Sequence, residues 1–164
     1  MAEARRQLEI PPRGTRGRRV VDVLFKILGP LAGTRISRYR KRSSRELPML
    51  NGMPLVLLTT IGARTGLQRT SELGGFREND DSWLIIGSKG GSITHPAWFI
   101  NLCKNPDKVW LEVGTRKFHA RPVLLQGEEY EAAYARIVAV SPGYRGYRKV
   151  TDRHIPLVRL TPVS

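Results

Sequence analysis

The chain has 164 residues, with 28 Lys and Arg against 14 Asp and Glu and a formal charge of +14. That length supports one domain with its own core, and a lone Cys103 excludes an intramolecular disulfide, which suits a reducing cytoplasm. Residues 1–50 carry 13 cations against 4 acids and residues 51–164 carry 15 against 10, so the excess is N-terminal. Without interleaved aromatics or a helix-turn-helix signature it argues against nucleic acid and for an anionic membrane surface or a polyanionic cofactor.

Residues 1–17 mix Arg, Pro and Gly with few apolar groups and are expected to form a flexible basic tail. From Arg18 onward, Val20, Leu24, Ile27, Leu28 and Leu31 recur at helical spacing while Asp22, Lys26 and Gly29 fall opposite, which predicts an amphipathic helix. Its apolar run is interrupted and far short of the roughly 20 residues that span a bilayer. The Arg18-Arg19 pair is followed by no uninterrupted apolar region or A-x-A cleavage site, so export is not expected. A basic segment with Arg38, Arg40, Lys41, Arg42 and Arg45 follows. Residues 18–46 therefore either attach to an anionic membrane, at the inner face of the plasma membrane, or pack as a lid on the rest of the chain.

Residues 54–61 (PLVLLTTI) read as a strand, 62–66 as a loop, 68–77 as a second strand, 79–81 as a hairpin turn and 83–88 as a third strand that Gly90-Gly91 stops. HPAWFINLCK is a short helix with Pro96 in its first turn and Asn105-Pro106 at its end. Val109, Leu111 and Val113 alternate with polar or aromatic neighbours as in a half-buried strand, and 117–125 is the next. A helix starts at Glu128 with Tyr130, Tyr134, Ile137 and Val138 at helical spacing, a Gly-rich loop holds Tyr144 and Tyr147, and 155–160 is a final strand. About six strands with short helices between them predict a small mainly β barrel over residues 47–164 rather than alternating parallel β-α-β units.

The common signatures of nucleotide loops, zinc proteases and serine hydrolases are absent. His95, His119 and His154 share no metal-ligand spacing, so no metal is expected. Two loops remain. TTIGARTGLQRT places Arg64, Thr65, Gly66, Arg69 and Thr70 around one strand connection, where glycine admits a close oxyanion and Arg donates to it. The second, Ser88, Lys89, Gly90 and Gly91, lies between a strand end and a helix start and suits an anion nest. Either could also be an ordinary turn.

TTIGARTGLQRT, then GSKGGSITHPAWFINL, then VTDRHIPLVRLTP, in that order over residues 50–162, closely resembles the deazaflavin-dependent nitroreductase family. The resemblance implies a split β-barrel of the flavin-reductase and pyridoxamine-oxidase type. It implies coenzyme F420, an 8-hydroxy-5-deazaflavin with a phosphate and an oligoglutamate tail, and places Arg64, Arg69 and Lys89 toward those anions. It sets the ring near Ser88, Pro96 and Trp98, and sets Tyr144 and Tyr147 beside a planar quinone or nitro acceptor, with Ser88 as a further hydrogen-bonding group. Two alternatives accompany it: a flavin mononucleotide enzyme on the same barrel, and a non-enzymatic membrane-associated protein whose barrel has lost its cofactor.

Overall fold

The computed structural model describes residues 8–28, 32–42, 46–78 and 81–163, excepting the side chains of 25–28 and 32. In chain order its elements are α1 (Val20–Leu28), α2 (Ala32–Arg40), β1 (Met49–Leu50), β2 (Met53–Ile61), β3 (Gln68–Arg77), β4 (Trp83–Ile86), a 3-10 turn (Lys89–Gly91), α3 (Ala97–Lys104), β5 (Trp110–Val113), β6 (Arg116–Leu124), α4 (Gly127–Val140), α5 (Tyr144–Val150) and β7 (Leu157–Pro162). All pairings are antiparallel. The order β1-β2-β3-β4-β7-β6-β5 closes through a β2–β5 pairing, so six strands form a barrel and β1 hangs on its rim. This is the expected split β-barrel with flanking helices.

β2 shows why the barrel carries helices on its outside. Val56 and Leu58 point inward onto Trp83, Phe99, Leu111 and Leu160, while Leu55 and Leu57 of the opposite face are also buried. A strand covered on both faces reads as a continuous apolar run, and each such side chain contributes about 1.5–3 kcal/mol on burial. Tyr39 of α2 supplies the cover, and its hydroxyl donates to Leu55 O at 3.1 Å and accepts from Gly114 N at 2.8 Å. A second core joins Tyr130, Tyr134 and Ile137 of α4 to Leu84 and Leu157.

Three expectations need correction. Residues 32–40 form a helix of their own where a basic segment was read, because Ile36 and Tyr39 bury one side and Arg40 makes two hydrogen bonds, 2.9 and 2.6 Å, to the buried Glu112. The lid reading therefore holds for α2, while Arg45 lies outside the described residues. The Gly-rich segment around Tyr144 and Tyr147 is helical as α5, held where Tyr134 Oη donates to Tyr144 O at 2.6 Å.

The third correction concerns the N-terminus, of which residues 1–7 lie outside the described part. Residues 8–18, expected to be loose up to 17, run as a strap along the barrel. Leu8 and Ile10 pack on the first core, Leu8 N donates to Cys103 O, Gly14 N to Ile93 O and Arg18 N to Gly91 O, all within 3.0 Å. Local composition missed this because every partner is distant in sequence. α1 then carries Val20 and Leu24 outward into solvent and Asp22 inward, while Ile27, Leu28 and Leu31 fall outside the described side chains. Among the described residues no helix is long and apolar enough to cross a membrane.

Candidate functional site

The first of the two singled-out loops is tied to α3. Residues 62–67 close on themselves through Gly62 N to Leu67 O and Gly66 N to Gly62 O, both 2.8 Å, with Gly66 at φ +69° where L side chains are strained. Ala63 N donates to Asn101 Oδ1 at 2.9 Å and Asn105 Nδ2 to Ile61 O at 3.3 Å, so the C-terminal half of α3 fixes this turn. Thr65 Oγ1 accepts from Leu67 N, and Thr70 Oγ1 shares a hydrogen with Thr59 Oγ1 at 2.9 Å across the β2–β3 pair. Arg64 and Arg69 are exposed, and neither meets a carboxylate among the described residues.

The other loop lies between β4 and α3 in the chain and packs against α1 and α5. Lys89, Gly90 and Gly91 all have positive φ, +44°, +59° and +78°. For Lys89 that is a strained conformation, the kind retained where a site needs it. Two amides of the turn are paired within it, Gly91 N to Ser88 O and Ser92 N to Lys89 O, both at 3.0 Å. Side chains also converge. Lys89 Nζ lies 2.6 Å from Asp22 Oδ1 and donates to Thr94 Oγ1 at 2.7 Å; Thr94 Oγ1 donates to Asp22 Oδ1 at 2.7 Å and Ser92 Oγ donates to Asp22 at 2.9 Å. Burial works to raise the Asp22 pKa, but hydrogen bonds from Lys89, Thr94 and Ser92 outweigh it and hold the carboxyl below its usual range.

Arg153 organises this loop from beneath, and sequence reading missed it. Only 3% exposed, it donates from Nε to Ser92 O at 2.9 Å, from Nη1 to Gly87 O at 3.0 Å and from Nη2 to Ser88 O at 2.8 Å. Nη1 also reaches His95 Nδ1 at 3.1 Å. Since Arg has no acceptor, His95 Nδ1 accepts and Nε2 donates to Pro11 O at 2.8 Å, which makes the imidazole neutral. Burial, then the Arg153 charge, lowers the His95 pKa in agreement. Burial draws Arg153 itself down to about 10, opposed by the Asp22 charge. The two residues before it serve the strap: Thr151 Oγ1 donates to Arg16 O at 2.9 Å, and Asp152 accepts from the Thr15 and Arg16 amides at 2.9 Å.

The remaining expected residues fall in three places. Ser88 is half-buried with its carbonyl held by Arg153, and Pro96 is buried at the start of α3. Trp98 is 6% exposed and packed edge-to-face on Phe99 in the first core, rather than presented on an open face. Tyr144 is 6% exposed in the second core, and burial raises its phenol pKa. Tyr147 stacks edge-to-face on it at 5.6 Å, is half-buried, and borders Gly91: a Cβ on that glycine would stand 3.6 Å from Tyr147 Cδ1. A groove of about 850 Å³ between Pro11, Pro12, Tyr130 and His154 is lined by none of the expected site residues. Among the described residues no group of three or more His, Cys, Asp or Glu is placed to hold a metal.

Sequence reading also missed Asp22, Ser92 and Thr94. The S-x-T spacing after the glycine pair was a usable signal for hydroxyls on one side of a loop; Asp22, some 70 residues away, offered none.

The family model described as F420H(2)-dependent quinone reductase matches residues 32–162. An F420H(2)-dependent quinone reductase of Mycobacterium tuberculosis is 38% identical over 115 residues, 66% of this chain and 73% of that one. The solved structure of an F420-H2 dependent reductase is 35% identical with a TM-score of 0.60, covering 66% of this chain and 94% of that chain. A second, described as a domain-swapped dimer, is 29% identical with a TM-score of 0.62 over 83% of this chain and 98% of its own.

Proposed function

The chain belongs to the F420H(2)-dependent quinone reductase family, and from that premise we propose that it reduces a quinone acceptor with coenzyme F420, holding the coenzyme's anionic tail with the Arg64–Arg69 turn and the Lys89 loop. It is an oxidoreductase. The observation that carries the placement is a pair of cationic loops: Arg64 and Arg69 exposed on a turn bonded to Asn101 of α3, and Lys89 already gripping a carboxylate in the loop that precedes α3 in the chain.

The reduced deazaflavin supplies hydride when bound, because carbon replaces the reactive nitrogen of a flavin. The protein supplies position and proton. Arg64 and Arg69 would pair with phosphate or glutamate oxygens, Thr65 and Gly66 would let them approach, and Thr70 would back the loop through Thr59. The Ser88–Gly91 loop, fixed by Arg153, would seat the rest. Tyr147, whose ring borders Gly91, would donate its Oη proton to a quinone oxygen, and the buried Tyr144 supports its ring. A planar nitro compound would be a secondary acceptor at the same place.

Nothing in the relatives favours flavin mononucleotide or a non-enzymatic role. Fluorescence titration is expected to show tighter binding of the deazaflavin coenzyme than of flavin mononucleotide, and a reversed preference would overturn the assignment.

The exposed side of α1 supports attachment to an anionic membrane on the cytoplasmic side. Val20, Val23 and Leu24 project outward, with Arg18, Arg19, Arg38, Lys41 and Arg42 also exposed. Deleting residues 1–46 would uncover Leu55 and Leu57, so substitution is the clean test. Replacing Val20, Val23 and Leu24 together by Ser is expected to abolish co-sedimentation with anionic vesicles while leaving the melting temperature unchanged. Sedimentation equal to wild type would count against attachment.

A further inference from the structure

α1 lies on the Lys89 loop with its polar side down. Among the described side chains of α1, Val20, Val23 and Leu24 are 79%, 58% and 52% exposed, so these three hold it there by little apolar burial. Its attachment is the Asp22 cluster, the Arg18 N to Gly91 O bond at 3.0 Å and the seat of Val21 over Gly90, where a Cβ would stand 3.4 Å away. The residues that receive Asp22 are an ammonium and two hydroxyls from one short loop, converging within 2.9 Å on a single carboxylate. That donor set recognises any oxyanion.

We propose that Lys89 Nζ, Ser92 Oγ and Thr94 Oγ1 form a binding site for one oxyanion, that Asp22 fills this site in the free protein, and that the phosphate or a glutamyl carboxylate of the coenzyme takes it by displacing Asp22 and lifting α1. The inference rests on the deazaflavin reading above. Lys89 and Asp22 are only 16% and 24% exposed in their side chains, so Asp22 covers most of the ammonium and a second anion would compete with it. Two carboxylates at that distance would also repel one another. Lifting α1 takes no cover from Val20, Val23 and Leu24, which already face solvent. The strap before it stays in place through Thr151 and Asp152.

Asp22→Asn keeps the side-chain shape and an acceptor for Ser92 and Thr94 but removes the competing charge. If Asp22 holds the site in most free molecules, the wild-type affinity is reduced by the vacant fraction, and the variant is expected to bind the coenzyme about tenfold tighter. Hydrogen exchange adds a readout independent of turnover: saturating coenzyme should raise exchange at residues 18–24 of the wild type. Equal or weaker binding by the variant, or increased protection of those residues, would overturn the proposal.

Analogues identify the anion. A gain that persists with the coenzyme lacking its glutamates, and vanishes with the deazaflavin riboside lacking phosphate as well, assigns phosphate; a gain seen only with the full tail assigns carboxylate. The same gain with the bare riboside overturns the proposal, because charge would then be irrelevant. Inorganic phosphate is the probe that does not depend on the coenzyme, and at tens of millimolar it should raise the melting temperature of the variant more than that of the wild type. Equal shifts overturn the site itself. Failure of both proteins to bind the deazaflavin, with a phosphate difference intact, would instead count against the coenzyme assignment alone.

Discussion

Arg153→Met is expected to lower the melting temperature by on the order of 10 °C and to abolish coenzyme binding. The guanidinium, itself buried, donates to the carbonyls of Gly87, Ser88 and Ser92 and to the Nδ1 of His95. Methionine fills a similar volume with no donor, so Gly87 O and His95 Nδ1 lose their partner and Ser92 O keeps only a 3.4 Å bond from Thr151 Oγ1, at about 1–3 kcal/mol each before relaxation, while Ser88 O retains Gly91 N. A net loss of about 4 kcal/mol in a domain of this size corresponds to roughly 8–16 °C. Arg153→Lys should recover only part of this, since one ammonium cannot reproduce the fork that spans the loop. Calorimetry of the three proteins decides it, and a shift under 2 °C for Arg153→Met would mean that the loop keeps its shape without the fork.

Arg64→Ala and Arg69→Ala should behave in the opposite way, weakening the coenzyme by about 1–3 kcal/mol each, roughly 5- to 150-fold, without moving the melting temperature. Both arginines are exposed, and the turn between them is closed by backbone bonds and by Asn101, none of which involves either guanidinium. Two cations acting on one tail are coupled, so the double variant should lose less than the two single losses combined. The loss should shrink at high salt, because exposed charges are screened within about 8–10 Å at moderate ionic strength. Unchanged affinity in both single variants would place the tail elsewhere and leave the Lys89 side as the anchor.

Most of the barrel was legible because strands and their turns are written locally. The apolar run of β2 and the Pro96 and Asn105 ends of α3 each follow from side-chain period and backbone chemistry within a few residues, whereas β5 does not keep the expected half-buried alternation, because α2 covers Glu112 on its other face. α5 was not legible, because its helix is stabilised by Tyr144 entering a core built from α4 and β7, against the preference of Gly143 and Gly146 for a loop. The docked strap was hidden for the same reason.

By itself, then, the chain determined a barrel with a cationic turn and a Lys-Gly-Gly loop, since spacing and residue type are enough to mark where strands stop and where an anion could be met. Only the tertiary structure decided what fills and supports that loop. Asp22, Lys89 and Arg153 are separated by more than 60 residues at each step, and their meeting depends on barrel closure, on the strap and on α1 turning its charge inward. Hydrogen bonds and ion pairs of that range act through space rather than along the chain, so no local pattern records them.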